Sequence, residues 1–188
     1  MNRLHEWYCA SGYWRRRAHQ TILPWATAGM PLGDARVPEL GPGPGVTTDW
    51  LLSRCGRLTA LERDDFATER LARRFGAAID VHNGDATSMP FADGAFDVVV
   101  CFTMLHHIPS PAAQDGHFQE VVRVLRAGGT FAGSDSISGP LFVVAHFGDT
   151  LTAIRPRDLP GRLLDAGLQD VSVDARRGAF RWRGTTPA

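Results

Sequence analysis

From Arg36 onward, short apolar runs alternate with amphipathic stretches, and the period within each predicts its element. VPEL (37–40) predicts a first strand, a glycine-rich turn follows, and VTTDWLLSRC (46–55) has helical spacing. RLTALE (57–62) reads as a second strand. In DDFATERLARRF (64–75), Phe66, Leu71 and Phe75 share one helical face, and Gly76 stops the helix. AIDVHN (78–83) predicts a third strand. FDVVVCFTM (96–104) is a near-continuous apolar run, expected of a strand covered on both faces. HFQEVVRVL (117–125) is helical, AGG (127–129) ends it, and TFAGS (130–134) is a fifth strand. PRDLPGRLLDAG (156–167) predicts the last helix, with LQDVSVDA (168–175) and GAFRWRG (178–184) closing the sheet as an antiparallel hairpin. Strand–helix alternation at this spacing implies an α/β, doubly wound, mostly parallel sheet of seven strands.

Residues 1–35 differ from this pattern. Both tyrosines (Tyr8, Tyr13) and three of the five tryptophans (Trp7, Trp14, Trp25) lie there, beside Arg15-Arg16-Arg17. One or two helices between Tyr13 and Ala28 are expected, then a loop at MPLGD (30–34). The chain therefore divides into an N-terminal helical cap, 1–35, and one α/β domain, 36–188.

Between the first strand and first helix lies Glu39-Leu40-Gly41-Pro42-Gly43-Pro44-Gly45. A chain that turns tightly there while letting a ligand approach its backbone needs glycine, and the two prolines stiffen the loop. Carboxylates follow successive strands: Glu39 ends strand one, Glu62 ends strand two, and Asp85 lies just beyond strand three. In an open α/β sheet those ends line one crevice beside the point where strand order reverses. An acid after strand two suits the two hydroxyls of a ribose, and one beyond strand three can accept from an exocyclic amine.

Charge and composition narrow the chemistry. The 20 acidic residues balance 20 basic ones, and every basic residue is Arg. With no lysine, Schiff-base, pyridoxal-phosphate and P-loop mechanisms are excluded in their usual form. The balanced charge argues against a nucleic-acid partner. Cys9, Cys55 and Cys101 form no CxxC pair, as expected of reduced thiols. The N-terminus has no uninterrupted apolar segment of the signal-peptide kind, and no run approaches the roughly 18 residues of a membrane span. A cytoplasmic protein without stable membrane insertion is the expectation. A nicotinamide dinucleotide would want GxGxxG, but its third glycine would fall on Val46; the spacing here is GxGxG.

PELGPGPGVTTDWL (38–51), LTALERD (58–64), NGDATSMPFADGAFDVVVCFTMLHHI (83–108) and VLRAGGTF (124–131) together resemble the class I S-adenosylmethionine-dependent methyltransferases, the small "type 11" group in particular. The resemblance implies a Rossmann-like fold and S-adenosylmethionine as cofactor. It implies that Gly41, Gly43 and Gly45 pack against the cofactor's methionine and ribose and that Glu39 reaches its amino group. Glu62 would take the ribose hydroxyls, Asp85 the adenine amine with the Ala86 backbone beside it, and Thr103 would meet the methionine portion through its backbone. Two positions depart from the family pattern: Pro38 in a central strand, where it cannot donate a ladder bond, and Ala127 in place of the proline of an RPGG turn.

Methyl transfer from a sulfonium needs in-line placement above all, and a general base only for a hydroxyl or protonated amine. His106 and His107 follow strand four and are the candidate catalytic residues, set against a role in shaping the pocket. His82, His117 and His146 show no metal-ligand spacing, so no metal is expected. Trp7, Tyr8, Tyr13 and Trp14 are candidates to enclose the acceptor, against the simpler reading of rings packed on the sheet. Without a further substrate-sized insertion, a small-molecule acceptor is favoured. Two readings stand beside this one: a nicotinamide-dependent oxidoreductase, and a catalytically silent cofactor-binding module of the same fold. The oligomeric state is left open.

Overall fold

The computed structural model describes residues 8–188, so the expectation for Trp7 lies outside the described residues. Seven strands form one sheet: β1 (Arg36–Leu40), β2 (Arg57–Glu62), β3 (Asp80–Asn83), β4 (Phe96–Phe102), β5 (Leu125–Ser136), β6 (Gln169–Arg176) and β7 (Ala179–Thr185). Their order is β3-β2-β1-β4-β5-β7-β6. The first five are parallel, and β7 pairs antiparallel with both β5 and β6. This is the doubly wound sheet with a C-terminal hairpin that the alternation predicts. Strand order reverses between β1 and β4, so the crevice opens beside the glycine-rich loop.

The helices are α1 (Gly12–Arg17), α2 (Leu23–Ala26), α3 (Val46–Leu52), α4 (Asp65–Phe75), α5 (Pro111–Val124), α6 (Pro140–Ala145) and α7 (Leu159–Asp165). A π-helical turn, Ala18–Ile22, joins α1 to α2. β4 shows why its sequence is apolar throughout. Val99 and Cys101 face one core, with Phe118 and Val121 of α5, Leu163 of α7, and Phe131 and Trp182. Val98, Val100 and Phe102 face the other, with Trp50 and Leu51 of α3 and Trp14, Ile22 and Leu23 of the N-terminal segment. The period of two sends alternate residues into two cores.

Some elements depart from expectation. α5 starts six residues before the predicted helix, because the Ser110 hydroxyl accepts from the Ala113 N–H at 3.1 Å and Pro111 occupies the first turn. It ends at Val124, and AGG (127–129) belongs to β5 rather than to a helix terminus. Phe66 does not join Leu71 in the core but is 64% exposed. α6 and the 3₁₀ turn Leu105–His107 have no counterpart in the predicted elements.

Pro38 is accommodated by local geometry. The Gly41 N–H donates to Leu61 of β2, so by the strand period residue 38 faces β4. Pairing of β1 with β4 registers only at Glu39–Val100 and Leu40–Cys101. Before Pro38 the seam is held by a side chain: the Arg36 N–H and Nε donate to Asp97 Oδ2 at 2.9 and 3.0 Å. These bonds, that of the Arg36 guanidinium foremost, hold the Asp97 carboxyl well below the usual range. No disulfide joins the three cysteines, and no helix among the described residues is long and apolar enough to cross a membrane.

Candidate active site

At the carboxyl ends of β1, β2, β3 and β4 lies a cavity of about 510 Å³. The glycine-rich loop forms one wall. Gly41, Gly43 and Gly45 all have positive φ (65°, 52° and 77°), which β-carbon-bearing residues adopt at a cost. Their surroundings differ. A Cβ on Gly41 would stand 2.4 Å from Met104 Cγ, whereas one on Gly43 would project into open space. Gly41 and Gly43 line the cavity; Gly45 does not, and its missing Cβ makes room for Leu71 and Phe75 of α4.

Glu62 ties the loop to β2. Its Oε2 accepts from the Gly43 N–H at 2.9 Å, and its Oε1 from the N–H groups of Arg63 and Asp64 at 2.9 and 3.1 Å. Three donors leave a carboxylate room for further bonds on the cavity side. Asp85 accepts from the N–H and hydroxyl of Thr87 at 2.8 and 2.7 Å, with Arg63 at 3.7 Å. Burial pushes its carboxyl upward, but the Thr87 bonds and the Arg63 charge outweigh that and hold it below the ordinary value. The carbonyl of Ala86 is held by His117 Nδ1 at 2.9 Å. Burial lowers His117 to about 4, so at neutral pH it is an uncharged ring that donates this bond.

Thr103 follows β4 with φ 52°, an outlier for a β-branched residue. Its N–H donates to Ser134 at 2.7 Å and its hydroxyl to the Phe102 carbonyl at 2.8 Å, which fix the conformation. The strain costs roughly 1–2 kcal/mol and sits where the backbone meets the cavity.

Six of the eight residues expected around the cofactor therefore present carboxylates, small side chains or strained backbone to one space together: Gly41, Gly43, Glu62, Asp85, Ala86 and Thr103. Glu39 does not line the cavity. It is 1% exposed beneath the loop, and its carboxyl oxygens accept from Thr47 Oγ1 and, at 2.6 Å, from Thr48 Oγ1. Burial raises its pKa to about 7 although both hydroxyls favour the charged form.

The two candidate catalytic histidines separate. His107 lines the cavity. His106 is 3% exposed and does not; its Nδ1 lies 2.6 Å from Asp135 Oδ1, and the same carboxylate accepts its backbone N–H at 3.2 Å. Their rings are 4.2 Å apart between centroids, so His106 backs His107. Among the aromatic candidates, Trp14 reaches the cavity, Tyr8 packs on it at 5.9 Å, and Tyr13 points outward, 65% exposed.

The sequence reading missed several wall residues. Arg63 and Arg70 line the cavity beside Glu62, Asp64, Asp85 and Asp149, so acids outnumber guanidinium groups without excluding them. Phe66 is exposed toward the cavity and breaks the apolar face to which it was assigned. Asp135 carried a signal, as the one acid in the strand, at its carboxyl end.

The donor set suits a cationic adenosyl cofactor. Two carboxylates stand after β2 and β3, glycine leaves space over the loop, and no lysine seeks a phosphate. Comparison with known proteins agrees. The family model described as "Methyltransferase domain" matches residues 38–133, just over half of the chain. A ribosomal RNA small subunit methyltransferase A from Cupriavidus pinatubonensis is 44% identical over 61 residues, which is 32% of this chain and 22% of that protein. A Mycobacterium tuberculosis protein named "Probable S-adenosylmethionine-dependent methyltransferase" is 27% identical over 175 residues, covering 86% of this chain and 57% of its own length. The chain thus spans a fifth to just over half of these relatives. In fold, it superposes with TM-score 0.78 at 20% identity on a chain from the complex between the Haloferax volcanii Trm112 methyltransferase activator and a methyltransferase, covering 100% of this chain and 99% of that one.

Proposed function

The chain belongs to the methyltransferase-domain family, and from that premise we propose that it transfers a methyl group from S-adenosylmethionine to a small-molecule acceptor by in-line displacement. One observation carries the reading: the glycine loop, Glu62, Asp85, Ala86 and Thr103 converge on a single cavity at the switch point of the sheet.

Bound S-adenosylmethionine supplies a methyl group already activated by its sulfonium. The chain's own residues hold and orient. Glu62 accepts the ribose hydroxyls while it braces Gly43, and Asp85 accepts the adenine amine, its carboxylate kept ionised by Thr87 and Arg63. The fixed backbone at Thr103 and the bare Gly43 would hold the methionine portion. His107 and Trp14 stand on the acceptor side, with His106 positioning His107. Placement supplies most of the rate, because aligning the reactants removes entropy from the barrier.

A cavity of about 510 Å³ that also holds the cofactor favours a compact acceptor over a macromolecular one. The ribosomal RNA relative matches only 32% of this chain, so its likeness carries no acceptor. Calorimetry with S-adenosylmethionine, S-adenosylhomocysteine and NAD is the first test. Binding of the two adenosyl ligands and not of NAD is expected; the reverse would return the oxidoreductase reading. Transfer of a tritiated methyl group onto a panel of hydroxyl, amine and carbon acceptors then separates an enzyme from a silent binding module.

A further inference from the structure

Beside the cavity, three histidines from two parts of the chain converge. His106 and His107 sit on the 3₁₀ turn after β4, and His146 caps the carboxyl end of α6. One ring nitrogen from each lies within 4.8 Å of the other two. The His106 and His146 ring centroids are 4.9 Å apart, and those of His107 and His146 5.5 Å. No sequence spacing announces this set, because the third histidine arrives about forty residues later on another element.

Two of the rings are oriented by groups behind them. His146 Nδ1 is 2.7 Å from the Phe142 carbonyl, which only accepts, so Nδ1 carries the proton and Nε2 the lone pair. His106 Nδ1 is 2.6 Å from the Asp135 carboxylate, which selects the same tautomer. A carboxylate or backbone carbonyl on the far nitrogen is how metal-bound histidines are held. His106 and His146 are buried, while His107 faces the cavity.

We propose that His106, His107 and His146 bind one divalent transition-metal ion, of which Zn²⁺ is the best match, at the acceptor side of the cavity. Three imidazoles suit Zn²⁺, and three ligands from the described residues would leave a fourth position for a further ligand. Zn–N bonds of about 2.0–2.1 Å in a tetrahedron put nitrogens roughly 3.3 Å apart. The ligand atoms, all within 4.8 Å of one another, would draw together to that spacing as the ion binds. Metal binding stands by itself. The role of the fourth position rests on the methyl-transfer reading: a hydroxyl-bearing acceptor bound there would lose its proton to water, and its oxygen would attack the methyl carbon, forming the O–CH3 bond as the CH3–S bond breaks and S-adenosylhomocysteine leaves. A metal-bound alkoxide or phenolate class of acceptor follows.

The test uses untagged, chelator-treated full-length protein, titrated with Co²⁺ as a spectroscopic probe and with Zn²⁺ in competition, without cofactor. One Co²⁺ per chain is expected, with the visible absorption of four-coordinate cobalt, displaced by one Zn²⁺. His146→Gln and His107→Gln should lose that spectrum, His82→Gln should keep it, and Asp135→Asn should weaken affinity about 10–100-fold. Circular dichroism checks each fold; if His146→Gln or Asp135→Asn fails to fold, the partly exposed His107→Gln carries the test. A folded wild-type chain that takes up neither ion, or a His107→Gln chain that keeps the four-coordinate spectrum, overturns the site. Cofactor calorimetry on the same sample keeps the two proposals apart. S-adenosylmethionine binding without cobalt uptake refutes the metal alone, and cobalt uptake without S-adenosylmethionine binding refutes the methyl-transfer reading alone.

Discussion

At the scale of single residues, two glutamates that look equivalent in sequence do different work. Glu62 lines the cavity and is exposed enough to meet a ligand, while Glu39 is sealed under the loop against Thr47 and Thr48. Removing the first should cost binding. Glu62→Ala is expected to weaken S-adenosylmethionine binding by about 1.5–3 kcal/mol, the range for a hydrogen bond to a charged group, and unchanged affinity in calorimetry would refute the ribose role. Glu39 should appear instead in stability. Its carboxyl titrates near 7 in the folded chain against an ordinary 4.5. Between those values the native state keeps a proton that the unfolded state has released, so stability falls as pH rises through the window and is level above it. The loss is on the order of 3 kcal/mol. Glu39→Gln lacks this dependence, so urea melts at pH 5 and pH 8 should show the wild type losing that much relative to the variant. Parallel pH profiles would mean that Glu39 does not titrate in this range. The identity of the acids was legible in sequence; their division of labour was not, because burial depends on how α3 brings its two threonines over Glu39.

At the scale of elements, the strands were legible because buried parallel strands must be apolar, and every predicted strand overlaps an observed one. What the period could not report is depth. β5 looked like five residues, yet Leu125–Ser136 is extended, since its polar ends pair with β4 and β7 through backbone groups that carry no side-chain signal. One of its three glycines, Gly133, is equally silent in sequence. A Cβ on Gly133 would lie 2.0 Å from the Cys101 carbonyl oxygen and 2.4 Å from Trp182, so backbone and a buried ring both resist it. Gly133→Ala is expected to destabilise the fold by roughly 1–3 kcal/mol, the cost of overpacking, and to move the near-ultraviolet signal of Trp182. A variant as stable as wild type would show that β4, β5 and β7 can separate there. α6 went unread for a related reason: PLFVVA is too short to display a helical period, and what marks it is the histidine it delivers.

At the scale of the molecule, the cavity joins parts that belong to different cores. Leu61 and Met104, on its walls, pack into one core, while Trp14, Val46 and Phe102 pack into the other across the sheet. A ligand held by loops after β1, β2, β3 and β4 therefore touches both layers, and releasing it requires neither to unfold, but unfolding either releases it. Binding energy should then add to global stability rather than only to local order. At a concentration about 100 times Kd, S-adenosylmethionine is expected to stabilise the chain by about 2.7 kcal/mol. For a domain of this size that raises Tm by roughly 5–10 °C, growing with the logarithm of ligand concentration, while NAD leaves it unchanged. The alternative is separable by hydrogen exchange. If the ligand merely orders the loops, amides at Gly43 and Asp85 gain protection, those of Val99 and Phe131 do not, and Tm stays flat. That outcome would mean that the two cores melt independently of the site between them. The balanced net charge of the sequence gives no hint of this coupling; it follows from placing the loop after β1 and the carboxylates Glu62 and Asp85 after β2 and β3 on one seam.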